Sequence, residues 1–116
     1  MKVTQLYTDA SGESHFEEIP TIMEEKTDMG FFSDPQNNVK YLYFQNTLPH
    51  QEWDFRHVSN KIYIVILEGE FELEVSTGEK RRFMPGDVIL LADHSGKGHK
   101  AKTFDNTVGA LVVHLN

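Results

Sequence analysis

Between Asp93 and Lys100 the chain places two histidines, two glycines and two lysines within eight residues, directly after the unbroken apolar run Val88 to Ala92. Glycines at 96 and 98 allow backbone N–H groups to converge. Lys97, Lys100 and His99 add donors and positive charge, a set that suits an anionic or strongly polar small molecule. The plain alternative is a hydrophilic connection, which is what most glycine-lysine loops are. A second concentration lies upstream, where Arg56, His57 and Lys61 precede Tyr63. An imidazole at position 57 or 99 could shuttle a proton, with the phenol of Tyr63 or Tyr43 opposing it.

Each of these side chains also has a purely structural reading. His99 could hold the loop by bonding its carbonyls, since imidazole caps irregular backbone well, and His57 could be a solvated residue beside a turn. His15 and His94 read as surface or loop residues, and His114 as packed or edge-exposed. Tyr41, Tyr43 and Trp53 could line a lumen, yet aromatics are favoured in strands for packing alone. Arg81 and Arg82 read as solvated charges.

The elements that must position these residues are strands. In Glu70-Phe71-Glu72-Leu73-Glu74-Val75 the apolar residues alternate with glutamates, so Phe71, Leu73 and Val75 face a core. Turn signals recur at Leu67-Glu68-Gly69-Glu70, Ser76-Thr77-Gly78-Glu79, Met84-Pro85-Gly86-Asp87 and Asp105-Asn106. Further strands are expected over Val3–Tyr7, His15–Ile19, Lys40–Gln45 and Val108–Leu115, and a helical turn or two over Thr21–Thr27. Many short strands with regular turns predict an all-β sandwich or barrel.

Composition narrows the function classes. The chain has 116 residues, 39% of them hydrophobic and 25% charged, which fits one globular domain over residues 1–116. There is no cysteine, so disulfides and thiolate metal sites are excluded. The longest apolar run, Ile62 to Leu67, is far short of a membrane span, and the amino terminus lacks the apolar core of a secretory signal. A cytoplasmic location is the expectation. A net charge of −7 argues against nucleic acid and anionic membrane as partners. The cations are unevenly placed all the same: Arg56, Lys61, Lys97, Lys100 and Lys102 fall near histidines.

The segment His57 through Gly69, followed by Pro85-Gly86-Asp87 and His99, resembles the two sequence motifs of the cupins. The match extends more loosely over the whole chain through "GESHF" (Gly12 to Phe16) and "GKGH" (Gly96 to His99). The resemblance implies a small jelly-roll barrel, a double-stranded β-helix, with a ligand pocket inside it. It also implies a metal motif, which this chain fills poorly. Counting back from Gly69, the carboxylate slot falls on Ile62, and the two histidine slots fall on Phe55 and His57 or on Arg56 and Val58. His99 fills the later histidine slot, and Thr103 stands at the asparagine slot. Isoleucine coordinates nothing and arginine puts a positive charge where a cation would sit, so no metal or other cofactor is expected. His50, Asp54 or His94 could rescue a site from adjoining segments.

The expected function is a small single-domain cupin that binds a small polar or anionic molecule in the barrel, without an assigned activity. His57, His99, Arg56, Lys61, Tyr63, Lys97 and Tyr43 are its candidate ligand-binding residues. A metal-independent isomerase or epimerase is one alternative, and a metal-dependent dioxygenase or isomerase with an atypical ligand set is another. A homodimer built on the barrel is also open.

Overall fold

Apolar residues at every second position require two surfaces that bury one face each, and the chain builds two sheets that do so. The computed structural model describes residues 1–116 and contains strands and turns with no helix. In chain order the strands are β1 (Lys2–Thr8), β2 (Ser14–Pro20), β3 (Glu25–Thr27), β4 (Gly30–Phe32), β5 (Val39–Thr47) and β6 (Glu52–Arg56). Then follow β7 (Ile62–Glu68), β8 (Phe71–Val75), β9 (Lys80–Phe83), β10 (Val88–Ala92), β11 (His99–Thr103) and β12 (Val108–Leu115). Six strands form one sheet in the order β2-β1-β10-β7-β12-β5, four form a second in the order β6-β11-β8-β9, and β3 and β4 pair only with each other. No helix is long and apolar enough to cross a membrane.

Paired residues share a face, so the register assigns every side chain. Leu73 and Val75 are 1% and 0% exposed, and they join Leu6, Ile66, Phe83, Ile89, Leu91 and Val112 in the core between the sheets. Phe71 packs at the margin of that core, half-buried. Glu72 and Glu74 occupy the outer face of the smaller sheet. There they pair with Lys102 and Lys100 on one side and with Arg82 and Lys80 on the other. Opposite charges across such a ladder contribute up to about 1 kcal/mol per pair.

One reading of the sequence needs correction. Thr21–Thr27 holds no helical turn; its last residues form β3, and Pro20 closes β2 just before it. The strand carrying Phe71 begins at Phe71 itself, in keeping with the turn expected over Leu67-Glu68-Gly69-Glu70. Gly69 has a φ of 78°, and a Cβ there would stand 2.4 Å from the Thr107 carbonyl oxygen. Only glycine fits that approach.

The connections decide which strand ends meet. β10 ends and β11 begins on either side of the 93–98 loop, while β5 and β6 are joined at the opposite end. One end therefore collects the starts of β5, β7 and β11 and the finishes of β6, β10 and β12. Across the larger sheet that end carries the row Leu91, Ile62, His114 and Tyr41. Across the smaller sheet it carries Val75, His99 and Arg56. This end is the mouth of the barrel.

The facing of β8 can be checked by unfolding in denaturant. Leu73→Ala is expected to cost about 2–5 kcal/mol, the range for a leucine removed from a closed core. Glu72→Ala is expected to change stability by about 0.5 kcal/mol or less. Equal losses would contradict the assigned register.

Candidate functional site at the barrel mouth

The deepest polar feature of the mouth is a pair of side chains from either end of one loop. Asp93, just beyond β10, is 0% exposed, and His99, the first residue of β11, is 8% exposed. His99 Nδ1 and Asp93 Oδ2 lie 2.6 Å apart. A carboxylate can only accept, so Nδ1 carries the proton and Nε2 is the nitrogen left over. Nε2 makes no hydrogen bond within the chain and keeps a small contact with solvent. The other carboxylate oxygen, Asp93 Oδ1, is buried without a partner.

The 93–98 loop is held on three sides. Val58 N donates to the Asp93 main-chain oxygen at 3.0 Å and Lys97 N to the Gly12 oxygen at 3.0 Å. Thr8 Oγ1 donates to the Ser95 oxygen at 2.9 Å, and the buried Ser14 Oγ to the Gly98 oxygen at 2.6 Å. Gly98 has a φ of 71°, and a Cβ there would stand 2.1 Å from the Arg56 main-chain oxygen. The Lys97 ammonium bonds Glu13, whose second oxygen accepts from Ser76 Oγ at 2.6 Å. Those two bonds, with Lys97 first, hold the Glu13 carboxyl below the usual carboxylate range. Next to it, bonds from His15 and then Ser11 hold Asp9 well below that range. The loop is a clasped element, not a flexible overhang.

A second wall of the mouth is aromatic. Tyr43 Oη and His114 Nε2 share a hydrogen bond at 3.0 Å, and the Tyr41 ring centroid lies 4.6 Å from that of His114. Burial first, and the charge of nearby Lys40 second, lower the pKa of His114, so its imidazole stays neutral. The Lys40 ammonium sits 5.8 Å from the Tyr41 ring centroid. Trp53, half-buried on the edge strand β6, shares the inner face of Ala101. Farther into the barrel a cavity of ≈ 70 Å³ is lined by Gln45, Thr47, Ile64, Ile66, Phe71 and Val112, among others.

Among the residues expected to bind ligand, the structure brings His99, Arg56 and Tyr43 to this mouth. Arg56 is the register partner of His99, is exposed, and has no acidic partner. His57 is exposed beyond the strand, its Nδ1 3.3 Å from the Val58 oxygen, and Lys61 is exposed just before β7. Tyr63 pairs with Leu90 and Val113 on the outer face of the larger sheet, so it does not line the lumen. Lys97 is tied to Glu13, and Lys100 and Lys102 lie on the outer face of the smaller sheet opposite Glu74 and Glu72. The five cations that fall near histidines in the sequence therefore do not gather on one face: Lys97 is paired and Lys100 and Lys102 face outward, while Arg56 lies on the face of His99 and Lys40 lies beside Tyr41. Lys40, and the placement of His114 beside Tyr41 and Tyr43, were hidden because β5 and β12 are adjacent only in three dimensions.

The facing also separates the two registers of the metal motif. Arg56 lies opposite His99 while Val58 and Ile62 pack against the core, so the four motif slots are occupied by Arg56, Val58, Ile62 and His99. His50 sits at the far end of the barrel beside Asp105, Asp54 caps its neighbour's N–H, and His94 is exposed. No three His, Asp or Glu side chains are grouped as an ion would require. Two apolar slots and a guanidinium do not fit the metal of this motif.

No family model matches the chain, and no curated protein matches it. Solved structures do. The chain is similar to the DMSP lyase DddQ from Ruegeria pomeroyi at 26% identity and a TM-score of 0.56, over 75% of this chain and 41% of that one. The chain thus spans about two-fifths of that protein. It is similar to the cupin domain of Cnp3 from Schizosaccharomyces pombe at 12% identity and a TM-score of 0.54, over 89% of this chain and 72% of that one. An RmlC-like cupin with a double-stranded β-helix fold from Methanocaldococcus jannaschii aligns at 14% identity and a TM-score of 0.53, covering 84% of this chain and 91% of that one. The chain has the cupin double-stranded β-helix fold, shared by proteins of varied or unknown activity.

The clasp makes a pH-dependent prediction. A carboxyl held below its ordinary pKa in the folded state adds stability above the unfolded value and loses it on acidification. Wild type is thus expected to be more stable than Glu13→Gln at neutral pH. Below the ordinary glutamate value of 4.5 that difference should shrink steadily. Thermal unfolding of both proteins from neutral to acidic pH measures it, and a pH-independent difference would contradict the clasp.

Proposed function

We propose that the mouth binds a small hydroxy acid, such as a sugar acid, with its carboxylate on Arg56 and a hydroxyl on His99 Nε2. The observation that supports this reading most directly is Arg56, free of acidic partners, on the face of His99 in a slot that the metal motif gives to a cation's ligand. A guanidinium presents a planar fork to a carboxylate. With Nδ1 occupied by Asp93, Nε2 of His99 is the ring nitrogen left to hydrogen-bond a ligand hydroxyl. Tyr41 and Tyr43 supply a flat apolar wall for a ring or carbon chain, and Lys40 adds positive charge beside it.

The chain's net charge of −7 repels anions at long range. At a partly enclosed site the balance reverses, because one charge-assisted hydrogen bond contributes roughly 1.5–3 kcal/mol and low-polarity walls weaken screening. The same net charge supports a reading without nucleic acid or anionic membrane as partners, and we propose a cytoplasmic location as part of that reading.

A second reading rests on the same pair. A buried carboxylate fixing one imidazole tautomer leaves the other nitrogen able to take and return a proton. A metal-independent isomerase or epimerase would use His99 in that way on a carbon bearing the hydroxyl.

A thermal-shift screen at fixed ionic strength tests the binding site. Hydroxy acids are expected to raise the melting temperature more than neutral amides of the same size, and added salt should weaken the effect. Arg56→Ala should remove most of it, while Lys97→Ala, which only loosens the clasp, should leave the preference for acids. Neutral compounds stabilising best, or an effect that survives Arg56→Ala, would overturn the proposal.

A further inference from the structure

The chain between β2 and β5 crosses the outer face of the larger sheet as a strap pinned at both feet. At one foot, Thr21 N and Oγ1 both donate to the Met1 main-chain oxygen, at 3.0 and 2.8 Å. At the other, Asn116 N donates to the Asn38 oxygen at 2.8 Å, and Asn38 Nδ2 donates back to the Asn116 oxygen at 3.3 Å. Because β1 runs parallel to β10, the first foot lies at the end of the barrel away from the mouth. The second lies at the mouth end, just beyond β12. The strap's own hairpin, β3 and β4, pairs with no strand of the sheet. Between strap and sheet a hollow of ≈ 630 Å³ remains.

The floor of the hollow is the sheet itself, through Val3, Val88 and Tyr63, and its walls include Pro20, Ile22 and Pro35 from the strap. Its volume falls within the roughly 300–1,000 Å³ of sites that hold small molecules. The two prolines fix their own backbone and carry no N–H to leave unpaired, so the walls need little further ordering when a ligand enters. Two carboxylates line the hollow, Glu24 on the outgoing limb of the strap and Asp34 on the returning one. Neither carboxylate has an ion-pair partner or accepts a hydrogen bond within the chain, and Lys2 beside them is already bonded to Glu18 at 3.5 Å. Tyr63 is half-buried, and its phenol bonds nothing within the chain. An aromatic ring attracts an ammonium group to its electron-rich face, and carboxylates strengthen that attraction.

We propose that this hollow binds a small organic amine, with Glu24, Asp34 and the Tyr63 ring receiving its ammonium group and Val3, Ile22 and Val88 receiving its apolar body. An anion is disfavoured, since the hollow offers it two carboxylates and a lysine already paired. A neutral molecule would gain the apolar contacts and leave both carboxylates unused. The net charge of −7, which opposes an anion at the mouth, here draws the ligand in. The hollow lies on the opposite face of the larger sheet from the lumen, so it is independent of what the mouth binds.

Amide-resolved NMR of the full chain tests this, with phenethylamine titrated over about 0.1–10 mM, the range for an unoptimised ligand of this size. Phenethyl alcohol, of the same shape but uncharged, is the comparison. The amide signals of Val3, Ile22, Asp34 and Val88 are expected to move with the amine, and the alcohol should bind roughly tenfold more weakly. Glu24→Gln combined with Asp34→Asn should weaken the amine about tenfold, at roughly threefold for each exposed carboxylate, and leave the alcohol unchanged. Added salt should weaken the amine alone. Both substituted positions are exposed, and an otherwise unchanged amide spectrum shows that the variant folds. Lining amides that stay still across the range overturn the proposal. Equal affinity for amine and alcohol, or amine binding that survives the double substitution, does so too. Shifts confined to the mouth around His99 and Arg56 would place the amine there and also overturn it.

Discussion

A carboxylate placed at the end of an apolar strand and cut off from water must be compensated, and the mouth of this barrel is arranged around how Asp93 is. An isolated buried carboxylate is costly, whereas one that accepts from an imidazole N–H is stabilised by a short, strong hydrogen bond. The 2.6 Å contact with His99 answers that demand and in the same stroke fixes which ring nitrogen faces outward. The surrounding backbone serves the contact. Gly98 allows the loop to press against Arg56 and His57, Ser14 ties its carbonyl, and Val58 ties the carbonyl of Asp93 itself. The pair then sets the position of Arg56, because His99 and Arg56 are register partners.

Electrostatics at the mouth follow from which cations are already compensated. On the outer face of the smaller sheet, lysines and an arginine alternate with glutamates from strand to strand. Lys97 is held by Glu13. These charges are used within the fold. Arg56 and Lys40 are not paired with an acid, and both border the inner face near an imidazole, that of His99 in one case and His114 in the other. An acidic protein thereby keeps a local positive patch where a ligand would enter.

Much of the fold was legible because alternation and turn chemistry are local. The strand Val88–Ala92, the turn at Gly69 and the facing of Leu73 and Val75 each follow from a few neighbouring residues. Strands β6, β9 and β11 were less visible, since charged residues on their outer faces mask the alternation. The helical turn expected over Thr21–Thr27 failed because Glu25–Thr27 pairs with β4 as a hairpin and Thr21 is tied to the Met1 carbonyl just before β1. For the site, His99, Arg56 and Tyr43 lie at the mouth, whereas proximity in sequence to a histidine does not tell where Lys97, Lys100 and Lys102 point. The first is tied to Glu13, and the facing of the other two depends on cross-strand partners more than 20 residues away. Tyr63 was misplaced by one step of alternation, which sends a side chain to the opposite face.

The measurement closest to the central claim is nitrogen NMR of the His99 imidazole during titration with a small hydroxy acid, in wild type and in Arg56→Ala. The account predicts a protonated Nδ1 that stays hydrogen-bonded throughout, and an Nε2 resonance that moves on titration in wild type but far less in Arg56→Ala. An Nε2 resonance indifferent to the acid, or one that moves equally in both proteins, would contradict it.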